Sequence, residues 1–520
     1  MWLWRILLRL MDFNMKKFEL FVEGRKGVLS DWSVYCVKGE DREKFFQGQT
    51  TNDLMSLNPN EFALNARVDR TGKIQFFFLN IKTSNELYLA FPKSIAQSAI
   101  EELDKFIIMD DVEIEALDKN LYFTFLTTEA SDNKFEGMLY GVPATLSFEE
   151  IDKESKEISN EEIEYLCVEN GWPRWGVDIT AGDLINNTRL NDLGISYTKG
   201  CFLGQETVAK IENGRGASFY PSFLTSPSVQ KLEIGVFKIN DRKGGEVISK
   251  IGNVAMVKLF REFRIDHKSF IVTQNEESFE LSFNSYSKEL SKDVFAHDLY
   301  LYGVSQFQAE KEDLAIATLS KVIKIAPNYS DAYESLGVIY GRQEKFELGI
   351  ELMDKLLSVN EESVMAHTNK SLYLMRLGKI EEAEEEKGLA TLKSFAEFGK
   401  IAKEKKAKEA LDKQKEEEII QRESMFKQVL EIDADDTIAN FGMGDVYFHR
   451  KEYSMAKTHL ERVIAVDAKY STAYSLLGKT LEVLGEKEEA KKIYTKGIEV
   501  ASAKGELMPA NEMQARLVKL

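Results

Sequence analysis

Seven residues between positions 199 and 206 have side chains and spacing suited to chemistry at a loop. They are Lys199, Gly200, Cys201, Phe202, Gly204, Gln205 and Glu206. A cysteine reacts, or holds a metal, as its thiolate, and an unperturbed thiol has a pKa of about 8.5. The charge of Lys199 would lower that pKa if its ammonium pointed at the sulfur. Because Gly200 and Gly204 permit a tight backbone path, the stretch predicts an exposed thiol. The alternative is a cysteine that fills a small buried space, as free cysteines often do.

The composition limits the kinds of partner and the cellular compartment that are expected for this protein. The chain has 520 residues and a net charge of −18, which argues against a general surface for nucleic acid or anionic membranes. Its three cysteines, Cys36, Cys167 and Cys201, are far apart and form no C-x-x-C pair. This predicts neither a disulfide framework nor a complete zinc or iron–sulfur ligand set. A reducing compartment follows, namely the cytoplasm, or an organellar matrix in a eukaryote.

Residues 1–14 form an N-terminal extension that begins MWLWRILLRL. This segment is shorter than the roughly 20 apolar residues that a membrane span requires, so no span is predicted. Arg5 and Arg9 lie one helical turn apart, as in a short interfacial helix. The other interpretation is that translation starts at Met15.

Residues 15–290 predict a mixed α+β region. Strand-like runs rich in aromatic and β-branched residues recur at 73–81, 86–92, 121–128, 231–239 and 268–273. The stretch 94–107 instead spaces its apolar residues as an amphipathic helix does. Strands and helices do not alternate regularly, which disfavours a parallel βαβ architecture.

A repeat begins after about residue 290. Five small residues fall in register, the first three 34 residues apart and the last two likewise: Gly303, Gly337, Ser371, Gly444 and Gly478. Each is followed twelve residues later by a second small residue: Ala315, Gly349, Ala383, Ala456 and Ala490. Small residues at both places let two antiparallel helices approach closely. The pattern resembles the tetratricopeptide repeat, whose period is 34 residues.

The repeats are expected to span 291–504, with an all-α solenoid as their architecture. The gap between Ser371 and Gly444 predicts one degenerate repeat at about 403–436, with its first helix replaced by a charged run that is best explained as a solvated helix face. Residues 505–520 suit a terminal capping helix.

The first half resembles the folate-binding family that includes YgfZ and the glycine cleavage T protein. The resemblance lies in VENGWPRWGVDI (168–179), KGCFLGQETVAKI (199–211) and GRG (214–216), and in FFQGQTTNDL (45–54) and ARVDRTGKI (66–74). The Lys-Gly-Cys motif is similar to that of the family's iron–sulfur assembly factors. The resemblance implies a three-part folate-binding fold over 15–220, followed by a small β-barrel at 221–290.

The same resemblance implies a function and a cofactor. It indicates a factor that binds tetrahydrofolate or a derivative and assists iron–sulfur cluster assembly or repair in client enzymes. The key thiol would be Cys201, with an iron–sulfur cluster held only transiently if at all. Glu169 looks like the glutamate that pairs with the pterin ring in the T-protein branch. Two departures are Lys210, where the family usually has arginine, and the Ile185-Asn186-Asn187 segment.

Two other functions stay open. A folate-dependent aminomethyltransferase would need an acid where Phe76 and Phe77 stand, and phenylalanine cannot carry a proton. The chain is therefore not expected to be an enzyme of that kind. A scaffold acting mainly through its repeats is the second alternative, with a peptide or helix as the bound partner. Asp331 and Glu334 occupy expected groove positions, so that partner would be basic or apolar.

Overall fold

The computed structural model describes residues 16–125, 133–152, 154–214, 216–266, 268–517 and 520. The N-terminal extension and part of the strand expected at 121–128 lie outside these residues. The chain divides into two compact units, one ending at Ala390 and the other beginning at Thr391.

A ten-stranded sheet forms the centre of the first unit. Its strands are β1 (Arg25–Val28), β2 (Trp32–Lys38), β3 (Glu61–Val68), β4 (Ile74–Lys82), β5 (Leu87–Pro92), β6 (Glu113–Leu117), β7 (Tyr122–Thr124), β8 (Lys134–Leu139), β9 (Val142–Ser147) and β10 (Lys156–Glu157). Their spatial order is β10-β1-β7-β9-β8-β3-β4-β5-β2-β6. Neighbours are antiparallel except β1 with β10 and β3 with β8. Strand β4 is almost entirely buried, which explains its continuous apolar run.

A second sheet of seven strands occupies the region where the family resemblance implied a small β-barrel. It contains β11 (Phe219–Thr225), β12 (Gly235–Ile239), β13 (Arg242–Ile251), β14 (Val254–Phe260), β15 (Ser269–Gln274), β16 (Glu277–Ser282) and β17 (Asn284–Ser285). All its recorded pairings are antiparallel, and it encloses its own hydrophobic core around Phe237, Val257 and Val272.

In the described residues, six α-helices accompany these sheets. They are α1 (Lys16–Glu23), α2 (Arg42–Gln49), α3 (Lys93–Asp104), α4 (Asn160–Asn170), α5 (Leu190–Leu193) and α6 (Gln205–Asn213). Helix α4 begins with a capping box, in which Ser159 and Glu162 each accept a hydrogen bond from the other's backbone N–H. It ends at Gly171, which has a φ of 66°, a left-handed conformation that favours glycine.

The first three repeats belong to the same unit as the sheets. Their helices are α7 (Lys292–Gln308), α8 (Glu312–Ile325), α9 (Ser330–Arg342), α10 (Phe346–Val359) and α11 (Val364–Arg376). Phe295, Leu299 and Tyr302 of α7 lie in one hydrophobic core with Phe18 and Phe21 of α1. The boundary expected at 290/291 therefore divides the sequence into two parts that differ in pattern. In the structure, residues from both sides of this boundary pack in the same hydrophobic core.

The degenerate repeat expected at about 403–436 is not a pair of helices. A single helix, α12 (Ile380–Ile432), runs for 53 residues through most of that range. The helix continues because the charged run contains neither proline nor glycine, and Glu, Lys and Ala favour helix. Pairs four residues apart, such as Lys405–Glu409 and Lys413–Glu417, add to this preference.

The second unit contains the last two regular repeats and the terminal helix. Its further helices are α13 (Thr437–His449), α14 (Tyr453–Val466), α15 (Ser471–Leu484), α16 (Lys487–Lys504) and α17 (Leu507–Leu517). A Cβ added at Gly478 would lie 2.2 Å from the ring of Tyr494, so only glycine allows this approach of α15 to α16. Ala490 is fully buried. The small residues thus act as the repeat pattern predicted.

Candidate functional site

The motif loop is attached to the segment after α2 through Lys199. The buried ammonium of Lys199 donates hydrogen bonds to the backbone carbonyl oxygens of Gln47, Thr50 and Asn52, at 2.6, 2.7 and 2.9 Å. A lysine ammonium has three N–H donors, so these contacts use its whole capacity. Lys199 therefore holds two loops together, and its ammonium is not directed at the Cys201 sulfur.

The environment of Lys199 is poorly solvated. Burial lowers the pKa of Lys199 to about 8, although the nearby Asp53 carboxylate acts in the opposite direction. The ring of Phe202 lies 5.3 Å from the ammonium and is itself buried. Sequence reasoning gave Lys199 a role at the thiol, whereas the contacts give it a structural one.

Gly204 fixes the end of the motif loop where α6 begins. Its φ is 82°, and a Cβ at this position would lie 2.3 Å from the carbonyl oxygen of Asp69. Both facts require glycine. Gln205 and Glu206 then form the first turn of α6, with Glu206 exposed. Gly200, by contrast, has open space around its Cα.

Cys201 is exposed, while Cys36 and Cys167 are buried. The thiol thus lies on the surface of a loop whose two ends are fixed by Lys199 and Gly204. Among the residues that the structure describes, no group of three or more His, Cys, Asp or Glu could hold a metal ion. The exposed thiol of Cys201 is a single sulfur donor.

Glu169 has a different environment, at the C-terminal end of α4. Its Oε2 is sealed from solvent and has no hydrogen-bond partner in the described structure. Burial raises the pKa of Glu169 to about 7, and the charges of Lys17 and Lys16 offset part of this rise. A buried carboxylate oxygen without a hydrogen-bond partner is costly, which marks Glu169 as a candidate functional residue.

A cavity of about 200 Å³ adjoins Glu169. It is lined by Lys17, Met138, Gly141, Glu169, Asn170, Phe223, Tyr286, Ser287, Leu290, Ser291, Val294, Phe295 and Asp298. Three aromatic rings, those of Phe223, Tyr286 and Phe295, offer apolar faces. The Tyr286 hydroxyl donates to the Val168 carbonyl at 2.6 Å, which fixes the tyrosine beside the end of α4. Ring-shaped ligands with a few N–H donors suit such a lining.

A second cavity of about 350 Å³ shares Met138 and Leu290 with the first. Trp172 lines it and is 3% exposed. Trp175 packs near Phe77, with ring centroids 5.9 Å apart. Trp172 thus belongs to the packed interior and also borders open space, whereas Trp175 is partly buried against the core.

The predicted site residues occupy two separate places. Glu169 lines the cavity, and none of the motif residues 199–206 is among the described residues that line either cavity. Phe76 and Phe77 are buried in the hydrophobic core, so no acid stands there. Asp69 accepts hydrogen bonds from Thr71 and Lys73 within its own turn.

Sequence reasoning missed two charged residues of the cavity, Lys17 and Asp298. Lys17 belongs to α1 and Asp298 to α7, the first helix of the repeats. The sequence around these two residues did not predict that they line a cavity. The spacing of apolar residues in a helix predicts which side chains are buried, but it does not predict which helices and strands contact each other. The repeat spacing placed α7 in the region that was expected to bind a partner protein. The sequence therefore gave no reason to expect α7 beside Glu169.

Sequence comparison identifies relatives of the first half. A protein called tRNA-modifying protein YgfZ from Colwellia psychrerythraea is 26% identical over 42% of this chain and 79% of its own length. One of the same name from Aliivibrio fischeri is 28% identical over 45% of this chain and 83% of its own length. An uncharacterized Haemophilus influenzae protein is 30% identical over 43% of this chain and 83% of its own length. The first half of the chain belongs to the YgfZ family. This membership confirms the resemblance to YgfZ that was drawn from the motifs of the first half.

The repeats match family models of their own. The tetratricopeptide repeat is matched at residues 299–329 and again at 471–504. A YgfZ-family region is thus joined to repeats that support protein–protein contacts. Among the helices in the described ranges, none is long and apolar enough to cross a membrane.

Solved structures show weaker likenesses. The aminomethyltransferase T of the Bartonella henselae glycine cleavage system is 14% identical over 54% of this chain and 91% of its own, with a TM-score of 0.44. MamA is 19% identical over 39% of this chain and 96% of its own, with a TM-score of 0.17. These values are low, so the assignment to the YgfZ family depends on the sequence relatives.

Proposed function

We propose that this protein is a tetrahydrofolate-binding factor that assists iron–sulfur cluster assembly or repair in client enzymes. The observation that carries the folate part is the buried carboxyl group of Glu169, a residue that lines a cavity and has one oxygen without a partner, in a first half of the YgfZ family. The ligand is tetrahydrofolate or a derivative, and the protein is proposed to act in the cytoplasm.

The residues around the cavity suit a pterin ring. The amino-pyrimidine edge of a pterin presents two parallel N–H donors, and an ionised carboxylate accepts such a pair strongly. Glu169 would supply that carboxylate, while Phe223, Tyr286 and Phe295 would cover the ring faces. The cavity of about 200 Å³ exceeds what one water molecule needs.

Cys201 is proposed to be the working thiol toward the iron–sulfur cluster. Its exposure lets a client approach the sulfur, and a cluster usually requires four thiolates. One cysteine cannot satisfy a cluster alone, so the cluster is cargo that the client or a carrier also ligates. The separation of Cys201 from the cavity residues supports two cooperating sites rather than a single reaction centre.

The repeats are proposed to dock a client or assembly protein through a basic or apolar segment. Burial and the neighbouring Asp331 raise the pKa of Glu334. Neither acid forms an ion pair within the described part of the chain. The hydroxyl of Tyr300 lies 3.3 Å from that of Ser335, which brings a polar aromatic residue beside these acids.

The relatives' name mentions tRNA modification, and an indirect role in that process suits this chain. A net charge of −18 opposes direct contact with RNA. We therefore propose that any such role passes through a client enzyme. Aminomethyl transfer is disfavoured by the buried Phe76 and Phe77, since neither can carry a proton.

Calorimetric titration of the full chain with tetrahydrofolate tests the folate part. We expect binding by the natural protein and a loss of about tenfold or more in Glu169→Gln, because a neutral amide cannot accept both N–H bonds. Glu161→Gln is the matched control, since Glu161 is exposed in the first turn of the same helix. No heat with any reduced folate, or equal affinity in the Glu169 and Glu161 variants, would contradict the proposal.

Anaerobic cluster transfer tests the iron–sulfur part. We expect that the natural protein speeds recovery of a cluster-dependent client after oxidative damage and that Cys201→Ser does not. Cys36→Ser serves as the control because Cys36 is buried. Equal recovery with both variants would reject the role of Cys201 and leave the folate site untouched.

A further inference from the structure

The long helix α12 exposes two large apolar side chains on one of its sides. Leu392 is 65% exposed and Phe395 is 72% exposed. The buried side of the same stretch is marked by Ala383 and Ala390. Since each residue advances an α-helix by about 100°, Leu392 and Phe395 lie on the side opposite to these alanines. The described part of the chain leaves that apolar side uncovered, and exposed apolar surface of this kind indicates an interaction site.

The residues around Leu392 and Phe395 follow a spacing of 3, 4 and 4 residues. Eleven residues then make three turns at 3.67 residues per turn, which is close enough to the helical 3.6 to keep such positions on one face. All of these positions are exposed, and they define the exposed face of α12: Glu381, Glu384, Gly388, Leu392, Phe395, Gly399, Lys403 and Lys406. The face runs along roughly 38 Å of the helix.

The exposed face of α12 is symmetric in residue size about a point halfway between Leu392 and Phe395. In both directions from that point, the apolar residue is followed by a glycine and then by two charged residues. The charges differ in sign, because both are glutamates toward the N-terminus and both are lysines toward the C-terminus. A second copy of the helix, turned through 180°, therefore has the complementary charge at every position of the face.

We propose that the exposed face of α12 binds the same face of a second copy of this chain, with the two helices antiparallel. A twofold axis relates the copies, so each contact occurs twice. Leu392 of each copy packs beside Phe395 of the other. The outer positions form ion pairs between copies, with Glu381 opposite Lys406 and Glu384 opposite Lys403. This inference does not depend on the proposed folate and iron–sulfur function.

Charge and register select this arrangement over other pairings of the same helix. A parallel pairing would place glutamates opposite glutamates and lysines opposite lysines, and like charges across an interface repel. An antiparallel pairing shifted by four residues would place Leu392 opposite Gly399 instead of Phe395, so the central apolar contact would be lost. The unshifted antiparallel register keeps both the apolar contact and the charge pairs.

Gly388 and Gly399 support close approach of a second helix. Neither has a positive φ, and a Cβ added at either one would have no atom of the described structure within 4 Å. The fold of a single chain therefore does not require glycine there, although alanine would stabilise the helix better. The absence of both Cβ atoms lets another backbone come near on each side of the apolar pair.

The size of the exposed face predicts a weak dimer. Its eight residues are fewer than the 20–30 residues per partner of a standard interface, and exposed ion pairs contribute little individually. Glu384 also has a competing partner on its own helix, since its carboxylate lies 3.2 Å from the Lys387 ammonium. We expect a dissociation constant of about 10–100 µM, so the protein is monomeric in dilute solution.

Sedimentation velocity of the full chain over about 1–200 µM tests the inference. About 150 mM NaCl screens the repulsion between two acidic copies beyond about 8 Å. The natural protein should show a monomer–dimer equilibrium, and Lys403→Glu combined with Lys406→Glu should weaken it by about tenfold or more. Lys405→Glu combined with Lys408→Glu is the matched control, because it changes the net charge equally at exposed positions on the other side of the helix.

Exchange of charges between variants gives a positive test. Glu381→Lys combined with Glu384→Lys should impair self-association in the same way as the lysine variant. When these two variants are mixed, every charged position of one copy again opposes the opposite charge on the other, so they should form a mixed dimer. A fluorescent label on one variant makes the mixed dimer visible in sedimentation, and its formation also shows that both variants are folded.

Three results would overturn the inference. A natural protein that stays monomeric up to about 200 µM would leave the exposed face to a different protein. Equal dimerisation of the Lys403/Lys406 and Lys405/Lys408 variants would place the contact elsewhere on the chain. Failure of the two charge-exchanged variants to form a mixed dimer would reject the antiparallel register.

Discussion

Phe295, in the first helix of the repeats, packs edge-on against Phe21 of the N-terminal helix, with ring centroids 4.9 Å apart and ring planes inclined at 66°. Edge-to-face packing of this kind adds to the free energy gained from burial alone. The two rings belong to sequence regions that differ in type, one of the YgfZ family and the other repetitive. Their contact makes the first repeat part of the folding unit that contains the Glu169 cavity.

Removing the Phe295 ring should therefore destabilise the first half of the protein. We expect Phe295→Ala to lower the free energy of unfolding by about 3–5 kcal/mol, the usual cost of an internal cavity of this size. Trp32, Trp172 and Trp175 lie in the described part of this unit, so tryptophan fluorescence in urea reports on its unfolding. Phe395→Ala is the control, since Phe395 is 72% exposed. Equal urea midpoints for the two variants would contradict a shared core.

The raised pKa of Glu169 predicts how stability depends on pH. Between the ordinary value of 4.5 and the folded value of about 7, the folded protein binds more protons than the unfolded chain. The free energy of unfolding therefore falls as pH rises through this window. Glu169→Gln removes the effect, so its stability relative to the natural protein should increase by about 1–2 kcal/mol between pH 5.5 and pH 8. Urea unfolding at both values measures the change, and Glu161→Gln should show none.

The same titration bears on ligand binding. A protonated Glu169 cannot accept two N–H bonds, so the affinity for tetrahydrofolate should weaken as pH falls below about 7. Calorimetry in buffers of different ionisation heat would count the proton released on binding near neutral pH. An affinity independent of pH between 5.5 and 8 would argue against contact with this carboxylate.

The two glycines of the motif should respond differently to alanine. Gly204→Ala introduces a Cβ 2.3 Å from the Asp69 carbonyl at a φ of 82°. We expect a loss of about 2 kcal/mol or more in unfolding free energy. Gly200→Ala should have little effect on stability because nothing lies within 4 Å of its added Cβ. Thermal unfolding of both variants compares them directly, and equal losses would contradict the geometry of the loop.

Cysteine exposure predicts selective alkylation. Burial raises the pKa of Cys36 and of Cys167, which suppresses their thiolates as well as their access to reagent. Iodoacetamide should thus modify Cys201 in the native protein and all three cysteines after denaturation, as peptide mass spectrometry would measure. Protection of Cys201 in the native protein would mean that its loop is covered.

Much of the fold could be predicted from local patterns. The expected strands at 73–81 and 86–92 correspond to β4 (Ile74–Lys82) and β5 (Leu87–Pro92), and the helix expected at 94–107 to α3 (Lys93–Asp104). Aromatic and β-branched runs and helical spacing are short-range signals that burial enforces. The length of α12 was not predicted, because the charged run has no residue that ends a helix and the repeat pattern gave no bounds there.

The sequence by itself determined the family of the first half, the repeat period of the second and the identity of Cys201 and Glu169 as candidates, because motifs and periodicity are properties of neighbouring residues. Tertiary structure alone decided that Lys199 binds three carbonyl groups, that Oε2 of Glu169 lacks a partner and that Asp298 borders the same cavity. These facts depend on contacts between elements more than a hundred residues apart. Burial and electrostatic environment arise from such contacts, and no local pattern encodes them.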